Sequence, residues 1–443
     1  MLDTLFILDP SDEVLLEKHW SGRATRQPVD AFWALARHAR VPDAVPAVMV
    51  SEPYYVHAVA HDGLWWLGVN RVEAPPASVL ALLRHLIALL ADYVGAVSAS
   101  ALRTHVVVVC ELLEEVVDAG VPALTEPALL REIVPPPSRL AQVIDAVALT
   151  RLADRTPAGH FSAIPWRQPH LRYAQNALWL DMVETVHLVA DARMRLLAGQ
   201  VCGALWMKAQ LSGMPDITAR FADPHRLVPS LAAVHPCVRY ARFEHDHALS
   251  FIPPDGRFKL MDYVLDLSDA DALPFVLKHR YTLSGKTGRL DLTLLPRLPP
   301  AAGSAAVARF DHVVVSMAMP DAVTSMRMSC SEPDSTSHFD PQTHRMTWRL
   351  GAIEPTQRSL AFSSTLYLTD AVPDPAPGRA RAPSGPPPPT TVTIAFHISQ
   401  WLLSGLKLRA LQILRESYQP YQSLRAVTQS GRCEIRLPSP LLT

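Results

Sequence analysis

Cysteine is scarce and unpaired in this sequence. The 443 residues hold five, Cys110, Cys202, Cys237, Cys330 and Cys433, an odd number with no Cys-x-x-Cys spacing. That argues against a disulfide framework and predicts buried free thiols in a reducing compartment. A charge excess is missing too: 41 Lys and Arg face 42 Asp and Glu. So balanced a chain has no bulk electrostatic attraction for nucleic acid, although a local basic patch stays open. Long apolar runs are also absent. The greasiest stretch, Val79 to Ala91, is cut by Arg84 and His85 and is too short for a bilayer. Met1 to Pro10 has no basic n-region and too short an apolar core for a signal peptide. The expectation is a soluble, cytosolic chain whose contact with membrane is peripheral.

Signatures of catalysis are missing as well. No Gly-x-Ser-x-Gly elbow and no His-Glu-x-x-His pair occurs. Ser284-Gly285-Lys286-Thr287 imitates the end of a phosphate-binding P-loop, but Arg280 stands where that motif needs glycine. The stretch also precedes a strand, whereas a P-loop opens a helix. Glu244-His245-Asp246-His247, with His235 and Cys237 nearby, lacks a recognised ligand spacing and sits like a hairpin turn. Glu114-Glu115 does not form an acid pair, because neighbours on a helix point roughly 100° apart. No active site, metal or cofactor is expected.

A length of 443 residues suggests two or three domains. Residues 1 to about 135 read as mixed α/β. Strands are expected at Leu5 to Leu8 and Val14 to Trp20, with a pair at Tyr54 to Ala60 and Leu64 to Val69 joined by His61-Asp62-Gly63. Helices follow at Val79 to Val94 and Val106 to Val117. The first carries apolar residues all round, which predicts a domain that needs a partner surface to stay soluble. Pro135-Pro136-Pro137 opens a linker, 136–161, with an apolar patch at Leu140 to Leu152. From about 162 to 443 short strands and turn signals mark an all-β sandwich, as in the alternating Leu290 to Leu294, Val313 to Val315 and Met346 to Leu350. Pro373 to Pro389 is Pro/Gly/Ala-rich and reads as a disordered loop, about 371–390.

The stretch from Asn176 to Pro215 organises the rest. In an extended Leu178-Trp179-Leu180-Asp181-Met182-Val183, Trp179 and Asp181 share a face. After turn residues at Asp191 to Arg193, a second apolar segment, Val201 to Met207, leads to Lys208, and Leu211-Ser212-Gly213-Met214-Pro215 closes the passage. An aromatic ring, a carboxylate and a lysine on two strands suit a pocket for a polar-tipped ring. They also suit an ordinary hairpin with a solvated Asp and Lys, and on pattern alone that second reading is the stronger.

The surrounding words shift that balance. Ile164-Pro165-Trp166-Arg167, Leu211 to Asp216, His235-Pro236-Cys237-Val238-Arg239 and Leu249-Ser250-Phe251-Ile252-Pro253-Pro254-Asp255-Gly256 occur in this order. Together they resemble the medium (mu) subunits of clathrin-adaptor complexes, essentially end to end. The Ile-Pro-Trp-Arg start, the Ser-Phe-Ile-Pro-Pro-Asp-Gly spelling, Phe339-Asp340-Pro341 and Gln429-Ser430-Gly431 are most like the type-3 subunits. The resemblance implies a longin-like α/β domain, a hinge-like linker and an all-β mu homology domain of two β-sandwich subdomains. These would be A, about 162–273 with 392–443, and B, about 274–391.

The resemblance also implies function. The chain would be a non-enzymatic cargo-recognition subunit, held with large delta and beta and small sigma subunits. It would read Tyr-x-x-Φ signals (Φ a bulky apolar residue) in membrane-protein tails for transport from Golgi or endosome toward lysosome or vacuole. Asp181 and Lys208 match the acid and base at the tyrosine hydroxyl, Trp179 the aromatic wall, and Arg425 the guanidinium stacked on the ring. Leu180, Leu408, Leu411 and Leu424 match the Φ pocket, although Leu408 and Leu411 read equally as core leucines. Plasma-membrane-type relatives carry Trp where this chain has Ser423, which removes one aromatic wall. Two alternatives stand beside this reading: a structural subunit with a decayed pocket, and a phosphoinositide-binding module using Lys208, Arg257 and Lys259.

Overall fold

The computed structural model describes residues 1–37, 45–137, 164–267, 273–297, 308–332, 334–353, 359–372, 390–438 and 441–442. The Leu140 to Leu152 patch and the Pro373 to Pro389 loop lie outside them. The chain divides into two units, Met1–Gln168 and Pro169–Thr443.

The first unit contains β1 (Thr4–Leu8), β2 (Val14–His19), α1 (Gln27–Ala36), β3 (Val48–Ser51), β4 (Tyr54–His61), β5 (Leu64–Asn70), α2 (Pro76–Val94), α3 (Ala99–Thr104), α4 (Val106–Val116), β6 (Val117–Asp118), β7 (Val121–Pro122) and α5 (Pro127–Ile133). β1 to β5 form an antiparallel sheet in the order β2-β1-β5-β4-β3. The Asp62-Gly63 turn joins β4 to β5 with both residues at positive φ, 46° and 79°, as a two-residue hairpin requires. β1 is buried at every position because both faces of the sheet are covered. Phe6 and Leu8 pack with Val29, Phe32 and Trp33 of α1, while Leu5 and Ile7 pack with α2 and α4.

α2 corrects two expectations. It is a single 19-residue helix, long and apolar enough by length and composition to cross a membrane. It serves instead as a core helix, burying Val79, Leu82, Leu83, Leu86, Ile87, Leu89, Leu90 and Tyr93. Nor is it apolar all round: Ala77, Ala81, Arg84, Ala88 and Asp92 make its exposed stripe. Small and charged side chains there remove the reason to expect that this helix needs a partner.

The second unit is almost entirely β. Its elements are β8 (Ala177–Asp191), β9 (Leu196–Gln210), β10 (Asp216–Phe221), β11 (Ala232–Val234), α6 (Tyr240–Asp246), β12 (Ala248–Phe251), β13 (Gly256–Asp266), β14 (Phe275–Pro296), β15 (Arg309–Ala318), β16 (Val323–Cys330), β17 (Thr336–Asp340), β18 (Arg345–Leu350), β19 (Leu360–Val372), β20 (Thr390–Ser399), β21 (Leu408–Leu414), β22 (Tyr421–Leu437) and β23 (Leu441–Leu442). A nine-stranded sheet runs β11-β13-β9-β8-β22-β20-β15-β18-β17, a four-stranded one β16-β19-β14-β23 and a three-stranded one β12-β10-β21. The alternating Leu290, Leu292 and Leu294 of β14, with Leu360, Phe362 and Leu366 of β19, pack on Val313, Val315, Trp348, Ile394 and Phe396. Two sheets thus share one core there.

Two motif readings change in detail. Ser284 to Thr287 lies inside β14, not before a strand, so a P-loop is excluded on firmer ground. Glu244 to Asp246 belongs to α6 rather than to a hairpin turn, and His247 ends the helix at a φ of 48°. The His247 ring meets the His225 ring edge-on at 5.4 Å. Among the described residues no group of three or more His, Cys, Asp or Glu is placed to hold a metal.

Candidate functional site

The β8–β9 hairpin sets the register of the site. Trp179 stands opposite Lys208 and Asp181 opposite Trp206. On the other side of β8, β22 runs parallel, with Ser423 beside Trp179, Leu424 beside Leu180 and Arg425 beside Asp181. Paired residues share a face of the sheet. Trp179, Asp181, Lys208 and Arg425 are therefore all brought onto one face, although some 240 residues separate β22 from β8.

The Lys208 ammonium lies over the Trp179 ring, 5.0 Å from its centroid, and stands diagonal to Asp181 rather than beside it. The Asp181 carboxylate and the Arg425 guanidinium have no hydrogen-bond or ion-pair partner among the described residues. Asp181 thus keeps its acceptor capacity while half-buried between Arg425 and Trp206.

Two aromatic residues here escaped the sequence reading. Trp206 lies beneath two cations of β13, with the Arg257 guanidinium 4.9 Å and the Lys259 ammonium 5.2 Å from its ring centroid. Lys259 also donates to Asp262 at 3.0 Å. Tyr421, 63% exposed, sits two residues before Ser423 with its ring 6.4 Å from that of Trp179. Both were open to detection, since a period of two places Trp206 on the face of Lys208 and Tyr421 on the face of Ser423.

The opposite face of this sheet carries Leu180 and Leu424, whereas Leu408 and Leu411 lie on a strand of the separate three-stranded sheet. Leu180, buried, is side by side with Leu424, which is 46% exposed. Leu408 and Leu411 belong to β21, whose only described pairing is with β10, opposite Phe221 and Ala219. They share a face with the buried Ile217, Ala219 and Phe221, yet stay half-exposed because β21 is an edge strand.

Leu424 is exposed because the outer edge of β22 is open there. β20 pairs with β22 from Leu437 back to Val427, and the last backbone bond runs from Gln400 N–H to Ala426 O at 2.8 Å. Tyr421 N–H donates to Asn176 O, so the groups of Tyr421 point toward β8. Strand alternation then turns the N–H and C=O of Gln422 and Leu424 outward. Among the described residues nothing pairs with them. An open ladder is a template for another strand. This one has a carboxylate, a guanidinium and aromatic rings on one face and leucines on the other.

Residues 164–437 match the model of the adaptor complexes medium subunit family. The chain is 31% identical to AP-3 complex subunit mu-2 of Rattus norvegicus over 440 residues, 98% of this chain and 100% of that one. It is likewise 31% identical to AP-3 complex subunit mu-1 of Homo sapiens over 439 residues, with the same coverage. In structure it is similar to a chain of a homology model of the full-length AP-3 complex in an intermediate open conformation, with a TM-score of 0.59, 15% identity and 98% of this chain covered. A second likeness is to that complex in a stretched open conformation, with a TM-score of 0.50 and 13% identity. The α/β first unit and the β-rich second unit are those of a longin-like and a mu homology domain, and an adaptor subunit is not an enzyme. The chain belongs to the adaptor-complex medium (mu) subunit family and is similar to AP-3 mu subunits over its whole length.

Proposed function

We propose that this chain is the cargo-recognition subunit of an AP-3-type heterotetramer, assembled with large delta and beta subunits and a small sigma subunit. It binds Tyr-x-x-Φ signals in the cytosolic tails of membrane cargo and works as a peripheral protein on Golgi, endosomal and vesicle membranes, toward lysosome or vacuole. The observation that carries this reading is the open edge of β22 beside an unpaired carboxylate. A peptide strand adds along Gln422 and Leu424 through its backbone, so its alternate side chains meet opposite faces of the sheet.

On one face the signal's phenol donates to Asp181 in a charge-assisted bond, and Arg425 covers the ring. Trp179, held by Lys208, walls the pocket, while Tyr421 and Trp206 supply aromatic surface where Ser423 has none. On the other face Φ meets Leu180 and Leu424, with Leu408 and Leu411 completing the apolar lining. A phosphate on the tyrosine would bring its charge against Asp181 and be refused. The headgroup alternative is disfavoured because its three cations already lie on indole rings, with Lys259 also bonded to Asp262.

The test is a double-mutant cycle by calorimetry. Asp181→Ala should weaken Tyr-x-x-Leu binding on the order of 1.5–3 kcal/mol, roughly tenfold to hundredfold, with the fold unchanged. Changing the peptide tyrosine to phenylalanine should cost as much against the natural chain and little against Asp181→Ala. Additive losses would show that Asp181 does not meet the hydroxyl, and the decayed-pocket reading would replace this one.

A further inference from the structure

The edge of β22 is open because β20 leaves it. β20 follows β22 as far as Ser399, opposite Val427, and Gln400 then turns at a φ of 58°. Unless the next residues are held elsewhere, they would continue the ladder over Leu424 and Gln422. One row of the nine-stranded sheet provides that hold: Thr428 of β22, Glu184 of β8, Gly203 of β9 and Tyr263 of β13 stand side by side.

Glu184 is fully buried. Its carboxylate accepts the Ser404 N–H at 3.0 Å, the Ser404 hydroxyl, and the Tyr263 hydroxyl at 2.9 Å. Thr428, also fully buried, donates to Trp401 O at 2.8 Å and accepts Leu403 N–H at 3.2 Å. Ser404 Oγ in turn accepts Leu406 N–H at 3.1 Å, and Arg226 donates to Ser404 O. Lys407 O accepts Ala222 N–H at 2.8 Å, which starts β21 on β10. Gly203 is required beneath this network, since a Cβ there would lie 2.0 Å from the Tyr263 ring that crosses β9 to reach Glu184.

A buried carboxyl group is costly in an apolar core unless donors surround it. Burial pushes its pKa up, and the bonds from Ser404 and Tyr263 pull it part of the way back. A hydrophobic side chain would fill the place without binding backbone. What the carboxylate adds is direction, because it orients one turn of a segment more than 200 residues away in sequence.

We propose that Glu184 is a positioning residue for the signal site: through Ser404 it holds residues 400–407 off the β22 edge and fixes where β21, carrying Leu408 and Leu411, begins. This rests on the signal-binding reading above and deepens it. Asp181 selects the tyrosine from β8 directly, whereas Glu184 governs Φ through the segment that leads into β21.

The two roles separate in an experiment on the full chain. Ser404→Ala removes the hydroxyl from Glu184 and Leu406 but leaves its backbone N–H bond, and Glu184→Gln keeps one acceptor oxygen in the same volume. For each, calorimetry with Tyr-x-x-Leu, Tyr-x-x-Ala and Phe-x-x-Leu peptides gives two preferences, and hydrogen exchange follows the backbone. The Leu-over-Ala preference should fall at least about threefold, while the Tyr-over-Phe preference stays as in the natural chain. Amides in 400–414 should exchange faster, and those of β8 and β9 should not change.

A role in stability alone would lower the melting temperature without moving a ratio of two affinities, both of which report the folded molecule. An unchanged Leu-over-Ala preference therefore overturns the proposal, whatever the exchange shows, and so does an equal fall in both preferences. If the natural chain binds neither Tyr-x-x-Leu nor Tyr-x-x-Ala, the signal reading fails instead. The exchange measurement then decides alone: faster exchange in 400–414 supports the hold on the segment, and unchanged exchange overturns it.

Discussion

Side chains three residues apart on β8 do opposite things with the same functional group. Asp181 is half-buried and unpaired, its oxygens free for a ligand, whereas Glu184 is fully buried with donors on both oxygens. Alternation with leucines put Trp179 and Asp181 on one face of the strand, although pattern alone favoured a solvated hairpin there, and it hid the role of Glu184 altogether. Nothing near Glu184 in the chain marks a partner at Ser404. The cysteines carry a residue-scale prediction. Cys433 donates to Val186 O at 3.2 Å, and burial pushes its thiol up to about 12. It should therefore stay protonated and inert to a disulfide reagent at around pH 8, since only the thiolate attacks. Cys110 is exposed on α4 and should react first. Cys110→Ser should remove the fast phase, and the Cys433 thiol should appear only on unfolding.

Among the elements, β22 has two unlike edges, and proline tells them apart. Gln422 turns its N–H outward, so Gln422→Pro removes a group that the folded chain leaves unpaired. Proline is tolerated on such an edge. This substitution should abolish peptide binding with little change in melting temperature. Ser423→Pro removes an N–H that faces β8 and should cost stability, about 0.5–1.5 kcal/mol for the hydrogen bond alone. Equal effects of the two on melting temperature would contradict the assigned directions. Strands with strict alternation or a tight turn were the legible elements: β14, β15, β18 and the β4–β5 hairpin were all visible in the residues. α1, α3 and α5 were not, because they are only 10, 6 and 7 residues long. Too few turns fit in that length for a helical stripe to repeat. α6 was misread because four polar residues in a row look like a turn, and packing of the buried Phe243 decides otherwise.

For the whole molecule, composition left both class and arrangement open. A near-neutral charge and scattered thiols allow almost any soluble protein, and family words carried the rest. What no local reading contained is that β22 would lie parallel to β8, because a register between distant segments leaves no periodic trace in either. The Pro373 to Pro389 sequence allows a test at this scale. It holds only Pro, Ala, Gly, Ser, Asp and Arg, with no large apolar side chain to bury. Replacing it by a Gly-Ser linker of equal length should leave both melting temperature and Tyr-x-x-Leu affinity nearly unchanged, and a drop of several degrees in a thermal scan would refute this.

The parallel neighbours β8 and β22 also order events during synthesis. β8 leaves the ribosome more than 200 residues ahead of β22, so Asp181 is made long before Arg425 stands beside it. Until β22 docks there is no edge for a tail to join, however well the rest of the sheet has formed. On the proposed reading, a growing chain is therefore blind to cargo. Recognition would then switch on only with β22, and a chain that stalls before it should capture no signal peptide.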